Sequence, residues 1–341
     1  MEKRREVGFD IMMPIAIFGY FLSAIAWRTT TSGGVIDGAA TVYMAIGSFC
    51  LPLVLFLLGA KFLDPEREFT FKKHWLGLIK IVVSGLLWTV AYTSALYIIN
   101  KAQFHPLQFL KTAYTVLPHM RYVLQLACLY VFIPVLRMIA ANKKISLYFM
   151  AVSFVTASLI PMLAELPVIY RAKYLLSFTD FSLFMGYSGM LVAGYYFKAN
   201  PIKRLYRSII YALAALALAF SLAGTVGGLF DGYGLFKIAF DQCPANFVLY
   251  GLGVYVLLCT VLDKLKVSDR GEEVAKKISQ CSYGSYVSSL FFIKAAAMIG
   301  ISGTMFAPIA AIPLVAILCF ALTYGFTYIL KGVPIVRDWL V

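Results

Sequence analysis

The sequence predicts an all-α, polytopic integral membrane protein of about ten transmembrane helices, with both termini in the cytoplasm. Three observations carry that prediction. Apolar residues make up 61% of the chain and charged residues 13%, a balance foreign to soluble domains. Apolar runs long enough to cross a bilayer recur from end to end, and a helix satisfies its own backbone in lipid. The basic residues are also unevenly placed. With the N-terminus inside, 21 of the 30 Lys and Arg fall at cytoplasmic ends, which is the positive-inside pattern. Arg28, Lys101, Lys111, Arg171, Lys173 and Lys237 lie on the outer side, and Lys80, Arg121 and Lys294 lie within or at the edge of spans.

The spans are expected near 8–27, 38–60, 76–99, 119–140, 147–167, 177–197, 208–228, 244–262, 281–303 and 307–330. Met-Glu-Lys-Arg-Arg-Glu leads into the first without a small-residue cleavage site, so that run reads as a span and not as a signal peptide. Polar gaps are too short to bury a core of their own, and residues 1–341 read as one transmembrane domain. Topology accounts for most of the net charge of +14, so the expected partner is the lipid bilayer and not nucleic acid. The six cysteines include no Cys-x-x-Cys pair and read as small apolar residues, with neither a disulfide framework nor a metal site.

The first span holds Asp10 near its inner end and Arg28 just past its outer end. An acid inside a span is a functional candidate; Asp10 equally suits the headgroup zone, paired with Arg4 or Arg5. Pro52 is expected to kink the second span. The loop Lys61–Trp75 and the start of the third span gather Lys72, Lys73, His74 and Lys80 at one rim. Such a rim serves headgroup contact, or alternatively seats the phosphates of a cytoplasmic donor, although no Gly-rich phosphate loop is present.

Asn100 to Pro118 reads as a polar and aromatic outer loop containing His105. His119 and Arg121 follow at the outer end of the fourth span, and spaced by two they cannot share one helical face. His119 is the best placed of the three histidines for chemistry, though interfacial histidines also serve as plain hydrogen-bonding groups. Glu165 and Asp180 share its level and offer either charge pairing or a polar pocket. Asp263–Gln280 reads as an inner loop with a short amphipathic helix. The ninth span then carries Tyr283 and Lys294. About 13 residues in, Lys294 is poorly placed to snorkel to the inner interface, so it must face the bundle, water or an acid. There is no internal repeat and no matched pair of broken helices of the transporter kind.

Several stretches together resemble the acyltransferase-3 family of bacterial membrane acyltransferases, which acylate surface sugars. Cys50-Leu-Pro-Leu-Val-Leu-Phe-Leu-Leu-Gly resembles the family's second helix, and Phe71-Lys-Lys-His through Trp88 its basic segment and tryptophan-ended helix. His119-Met-Arg-Tyr-Val with Tyr130-Val-Phe-Ile-Pro-Val-Leu-Arg, and Ser282-Tyr-Gly-Ser-Tyr-Val-Ser-Ser-Leu-Phe, resemble two further motifs in the family's order. The chain departs from the pattern at its centre. The family's first helix usually carries an aspartate, an arginine three residues later and a catalytic histidine eleven beyond that. Here these positions hold Asp10, Met13 and Ala24, and the ninth-helix His-Pro aligns with Ser289 and Leu290.

The resemblance implies an acyl-CoA co-substrate, acetyl-CoA foremost, and a cell-envelope glycan or lipid-linked sugar as acceptor, with no tightly bound cofactor. Lys72, Lys73 and Lys80 would hold the donor's phosphates, His119 would act as base and Arg121 would orient it or stabilise the oxyanion. Asp10, Arg28, Glu165, Asp180, Tyr283 and Lys294 would face the acceptor. The expected location is the inner or plasma membrane. Two other readings remain beside this one: a non-catalytic member that keeps the fold, and a small-molecule transporter using Lys294, Glu165 and Asp180.

Overall fold

A computed structural model describes residues 2–32, 37–100, 105–164, 187–230, 239–240 and 244–339. Within its helices, the side chains of 2–6, 31–32, 115–119, 121, 225–230, 335 and 338 fall outside the description. Every regular element among the described residues is helical. The first part of the chain forms α1 (Glu2–Ser32), α2 (Gly38–Gly47), α3 (Cys50–Phe62), α4 (Phe71–Ile99) and α5 (Pro106–Ala140). Then come α6 (Lys143–Phe154), a π-helical turn (Val155–Leu159), α7 (Ile160–Ala164), α8 (Tyr187–Ala199) and α9 (Arg204–Phe230). The chain continues through α10 (Ala245–Leu262), α11 (Asp269–Ser279), α12 (Ser282–Met298), α13 (Pro308–Leu330) and α14 (Pro334–Trp339).

Eight helical stretches among the described residues are long and apolar enough to cross a membrane, and the chain is a multi-pass membrane protein. They correspond to eight of the ten expected spans. The sixth expected span falls partly on residues outside the description, where α8 is its described portion. The ninth is α12, whose 17 residues sit at the short limit for crossing.

Three boundaries differ from expectation, each for a local reason. The second span is broken into α2 and α3 around Ser48 and Phe49 instead of being kinked at Pro52. Pro52 has no N–H to give the Ser48 carbonyl, so the helix restarts with Pro52 in its first turn, where a missing donor does no harm. The break lets α2 press on α1: a Cβ on Gly47 would meet the Gly19 carbonyl oxygen at 2.7 Å. Next, α4 begins at Phe71, so Lys72, Lys73 and His74 belong to a helix and not to a loop. Finally, α5 begins at Pro106, with proline at its first position and His105 as N-cap. The stretch read as an outer loop is therefore the first third of a 35-residue helix, and His119 stands fourteen residues into it.

The near end of the bundle, where α1 begins, is tied by cations to helix carbonyls. Arg137 donates to Phe62 O (3.1 Å), Pro65 O (3.3 Å) and Arg67 O (2.6 Å), and its guanidinium lies over the Phe69 ring. Lys198 Nζ donates to Ala60 O at 2.8 Å and pairs with Asp64 at 3.5 Å. The open carbonyls at the end of α3 are thus satisfied by positive charge, as the helix dipole favours. Upstream, α3 and α8 run in the same direction and cross with their backbones nearly touching. A Cβ on Gly59 would fall 1.9 Å from Leu191 O, and one on Gly194 would fall 1.9 Å from Phe56 O. Only glycine permits that approach, which is how helices gain contact in lipid. Around this crossing lies the main apolar core, with Leu53, Phe56, Leu57, Leu191, Val192 and Val256 buried.

On the surface at the same end, Ser268 caps α11 by accepting from Gly271 N, and Glu273 and Lys277 pair at 2.7 Å on its exposed side. Each charge favours the other: Glu273 titrates below the usual glutamate range and Lys277 above the usual lysine range, both through their mutual hydrogen bond.

Candidate functional site

Polar side chains inside the bundle concentrate where α12 passes between α1 on one side and α4 and α5 on the other. Ser285, Ser288 and Ser289 are fully buried. Tyr20, from α1, places its hydroxyl 3.2 Å from Ser289 Oγ, while Ser289 donates to Tyr286 O at 2.6 Å. The Tyr20 and Tyr286 rings meet edge to face at 5.0 Å, and Tyr122 of α5 lies beyond at 6.4 Å. On the α13 side, Ser282 hydrogen-bonds Tyr324 at 2.9 Å.

Across α12, Tyr92 of α4 is buried and its hydroxyl enters the helix ladder. It donates to Val287 O at 2.5 Å and accepts from Phe291 N at 3.2 Å. With Met120, Val123, Val287 and Leu290 it forms a small apolar cluster against which Tyr283 packs, the Tyr283 hydroxyl lying beside Ser84. The α5 backbone carrying His119 and Arg121 therefore runs directly past this part of α12.

Two cations stand nearer the far ends of the helices that carry the cluster. Arg28 is four residues short of the end of α1, and Lys294 is four short of the end of α12. Their charges act on one another. Expectation placed Lys294 mid-span; α12 stops at Met298 because Gly300 turns the chain with φ +83, so Lys294 stands one turn from the end of its helix. Lys294 lines the α4-facing side of α12 with Tyr92 and Phe291, whereas Ser289 meets Tyr20 on the α1 side.

The other candidates are dispersed. Asp10 is half-buried near the opposite end of α1, eighteen residues from Arg28, or roughly 27 Å of helix. Lys72 and Lys73 are exposed on the first turn of α4, and Lys80, two turns on, has its ammonium over the Trp339 ring of α14 at 5.9 Å. Glu165 and Asp180, like the side chains of His119 and Arg121, lie outside the described residues. Among the described residues no group of three or more His, Cys, Asp or Glu could hold a metal ion.

Three groups that the sequence did not single out as site residues have built surroundings. His74 is buried and stacked on Tyr130, centroids 4.7 Å apart and planes 5° from parallel. Arg137 is the clamp described above; only its place at the end of a family-like motif hinted at it. Gln125 is buried on α5, and its side-chain carbonyl has no hydrogen-bond partner among the described residues. A lone glutamine in an apolar run was the available signal.

A family model described as an acyltransferase domain, of the acyltransferase-3 type, matches residues 9–330. The chain belongs to the acyltransferase-3 family. Neither a curated protein nor a solved structure matches it. Membership makes it a membrane acyltransferase by family, spread over nearly the whole bundle. The departures now have surroundings. Met13 is buried in the apolar core around α3, a poor place for the family's arginine. Ala24 stands on α1 one turn from Tyr20 and one from Arg28, facing the side where Ser289 lies.

Proposed function

We propose that the protein transfers an acyl group from acyl-CoA, acetyl-CoA foremost, to a hydroxyl of a cell-envelope glycan or its lipid-linked precursor. It would act in the inner or plasma membrane with both termini in the cytoplasm. One observation supports this reading: Ser289, which aligns with the family's ninth-helix histidine, meets the hydroxyl of Tyr20, one turn along α1 from Ala24, where the family's first-helix histidine would stand. Buried hydroxyls can hold a sugar by hydrogen bonds.

A sugar hydroxyl is a weak nucleophile and needs a base. In the proposed step His119 takes the hydroxyl proton as the acceptor oxygen attacks the thioester carbonyl. Arg121, on another face of α5, would stabilise the oxyanion through its field and not by contact. The carbon–sulfur bond then breaks, and the leaving thiolate recovers the proton from the His119 imidazolium. The donor's phosphates rest against Lys72 and Lys73 at the start of α4, where the helix N-terminus adds positive potential, and against Lys80.

Mass spectrometry of envelope glycans from cells with and without the gene tests the reading. An acyl-sized mass difference that disappears on deletion is the expected result, and its absence with the protein folded and expressed overturns it. His119→Gln should then lower transfer at least a hundredfold; a wild-type rate removes His119 from the mechanism.

A second reading is favoured by Met13 and Ala24. With apolar side chains packed where the family carries its arginine and histidine, the protein would keep the fold and bind glycan without transfer. Unchanged glycans in the deletion strain, with glycan binding by the purified protein, are its expected result.

A further inference from the structure

The family match ends at residue 330, and the chain goes on into α14. A short link after α13 brings α14 against the first half of α4, at the near end of the bundle. There the Lys80 ammonium lies over the Trp339 ring, 5.9 Å from its centroid, while 38% of the tryptophan stays exposed. Lys73 precedes Lys80 by two turns on the same side of α4, roughly 10.5 Å away along the axis. Lys73 is exposed and Lys80 half-buried, and among the described residues neither pairs with a carboxylate.

We propose that Trp339 is the platform for the adenine of the acyl-CoA donor. The base stacks on the open side of the indole, the ribose phosphate meets Lys80, and the diphosphate meets Lys73. The proposal rests on the acyl-transfer reading for the identity of the donor. Trp339 itself lies beyond the family match, so its part in donor recognition would belong to this chain and not to the family pattern.

The chemistry of the three side chains selects this occupant. An indole face takes a nucleobase by stacking, and a cation on the same ring adds to the attraction. Two lysines without carboxylate partners suit two anionic groups on one molecule, since lysine binds phosphate as a point charge. Inorganic phosphate would leave the indole bare. A neutral sugar could stack but would leave both lysines without a counter-charge, and a phospholipid headgroup brings charge without a flat ring. Adenosine bearing a 3′-phosphate and a 5′-diphosphate carries all three groups. The spacing agrees as well: two turns of α4 match the reach from the base to the second phosphate of an extended nucleotide.

The test is isothermal titration calorimetry of the purified full-length protein in detergent with CoA, dephospho-CoA and 4′-phosphopantetheine. CoA should bind at least tenfold more tightly than dephospho-CoA, which lacks the ribose phosphate. Trp339→Ala should weaken CoA at least fivefold and Trp339→Phe should keep most of the affinity; neither should change the binding of phosphopantetheine, which has no base. Lys80→Met should remove the preference for CoA over dephospho-CoA, and Lys80→Arg should keep it. CoA affinity unchanged in Trp339→Ala, or phosphopantetheine weakened as much as CoA, would make Trp339 a mere interfacial anchor for the tail and overturn the platform. Equal binding of CoA and dephospho-CoA by the wild type overturns the place given to Lys80. Glycan acylation that persists in Trp339→Ala with CoA affinity unchanged leaves transfer standing while the platform falls. Base-dependent CoA binding with no glycan acylation in cells does the reverse.

Discussion

The crossing of α3 and α8 gives a prediction whose size follows from the coordinates. In Gly59→Ala the new methyl falls 1.9 Å from Leu191 O, and in Gly194→Ala it falls 1.9 Å from Phe56 O. Ordinary contact begins near 3.4 Å, so the helices must part by roughly 1.5 Å. Neither obstacle is a side chain that can swing away. A gap of that size forfeits most of the dispersion attraction along the seam, which includes Phe56, Leu57 and Val192. Overpacking usually costs 1–3 kcal/mol, and a backbone obstacle puts each substitution at about 3 kcal/mol. Both clashes are relieved by the same separation. The double mutant should therefore lose about 3–4 kcal/mol instead of the sum of the two, a strong departure from additivity. Equilibrium unfolding of the purified protein in mixed micelles, titrated with sodium dodecyl sulfate and followed by circular dichroism, measures all three. Single variants within about 0.5 kcal/mol of wild type, or an additive double mutant, would refute the crossing.

Other outcomes follow from single contacts. Arg137→Met removes a charged donor from three carbonyls and should lower stability by about 2 kcal/mol, while Arg137→Lys recovers less than half of that loss because one ammonium cannot fork; the same unfolding assay decides. Tyr92→Phe withdraws the hydroxyl from the α12 ladder and should lower stability by about 1 kcal/mol, with altered amide exchange at Phe291 and not at residues of α13. Glu273→Gln should leave the unfolding midpoint unchanged in high salt, since an exposed pair is screened. In low salt the contribution of that pair is bounded on both sides. It fades as pH falls through the lowered Glu273 range and as pH rises through the raised Lys277 range; a midpoint difference between wild type and variant that persists beyond either limit would contradict the pairing.

Most of the bundle was legible because span length and apolar composition are properties of single segments. The eight stretches that meet both criteria align with eight expected ones. The errors arose where one residue governs a boundary. Pro52 was read as a kink when its missing N–H ends one helix and lets another begin, and Pro106 was passed over as a helix start because the residues after it are polar and aromatic. The site was legible as residue types and not as a constellation. Tyr92 and Val287 stand far apart in sequence, and nothing in either segment says that the hydroxyl of one meets the carbonyl of the other. The Tyr20–Ser289 contact likewise joins two residues of ordinary composition. The role of Arg137 needs the loop after α3 folded beneath it, a relation between segments that no local pattern encodes.

The Tyr92 hydroxyl, spliced between the Val287 carbonyl and the Phe291 amide, divides α12 mechanically. The segment beyond that rung, which carries Lys294, is coupled to α4 by a direct bond as well as to its own first half. Lys294 is thus anchored through α12 to the same rung that holds α4. α4 also bears Lys72, Lys73 and Lys80 at its opposite end, so one rigid rod links the two extremities of the bundle.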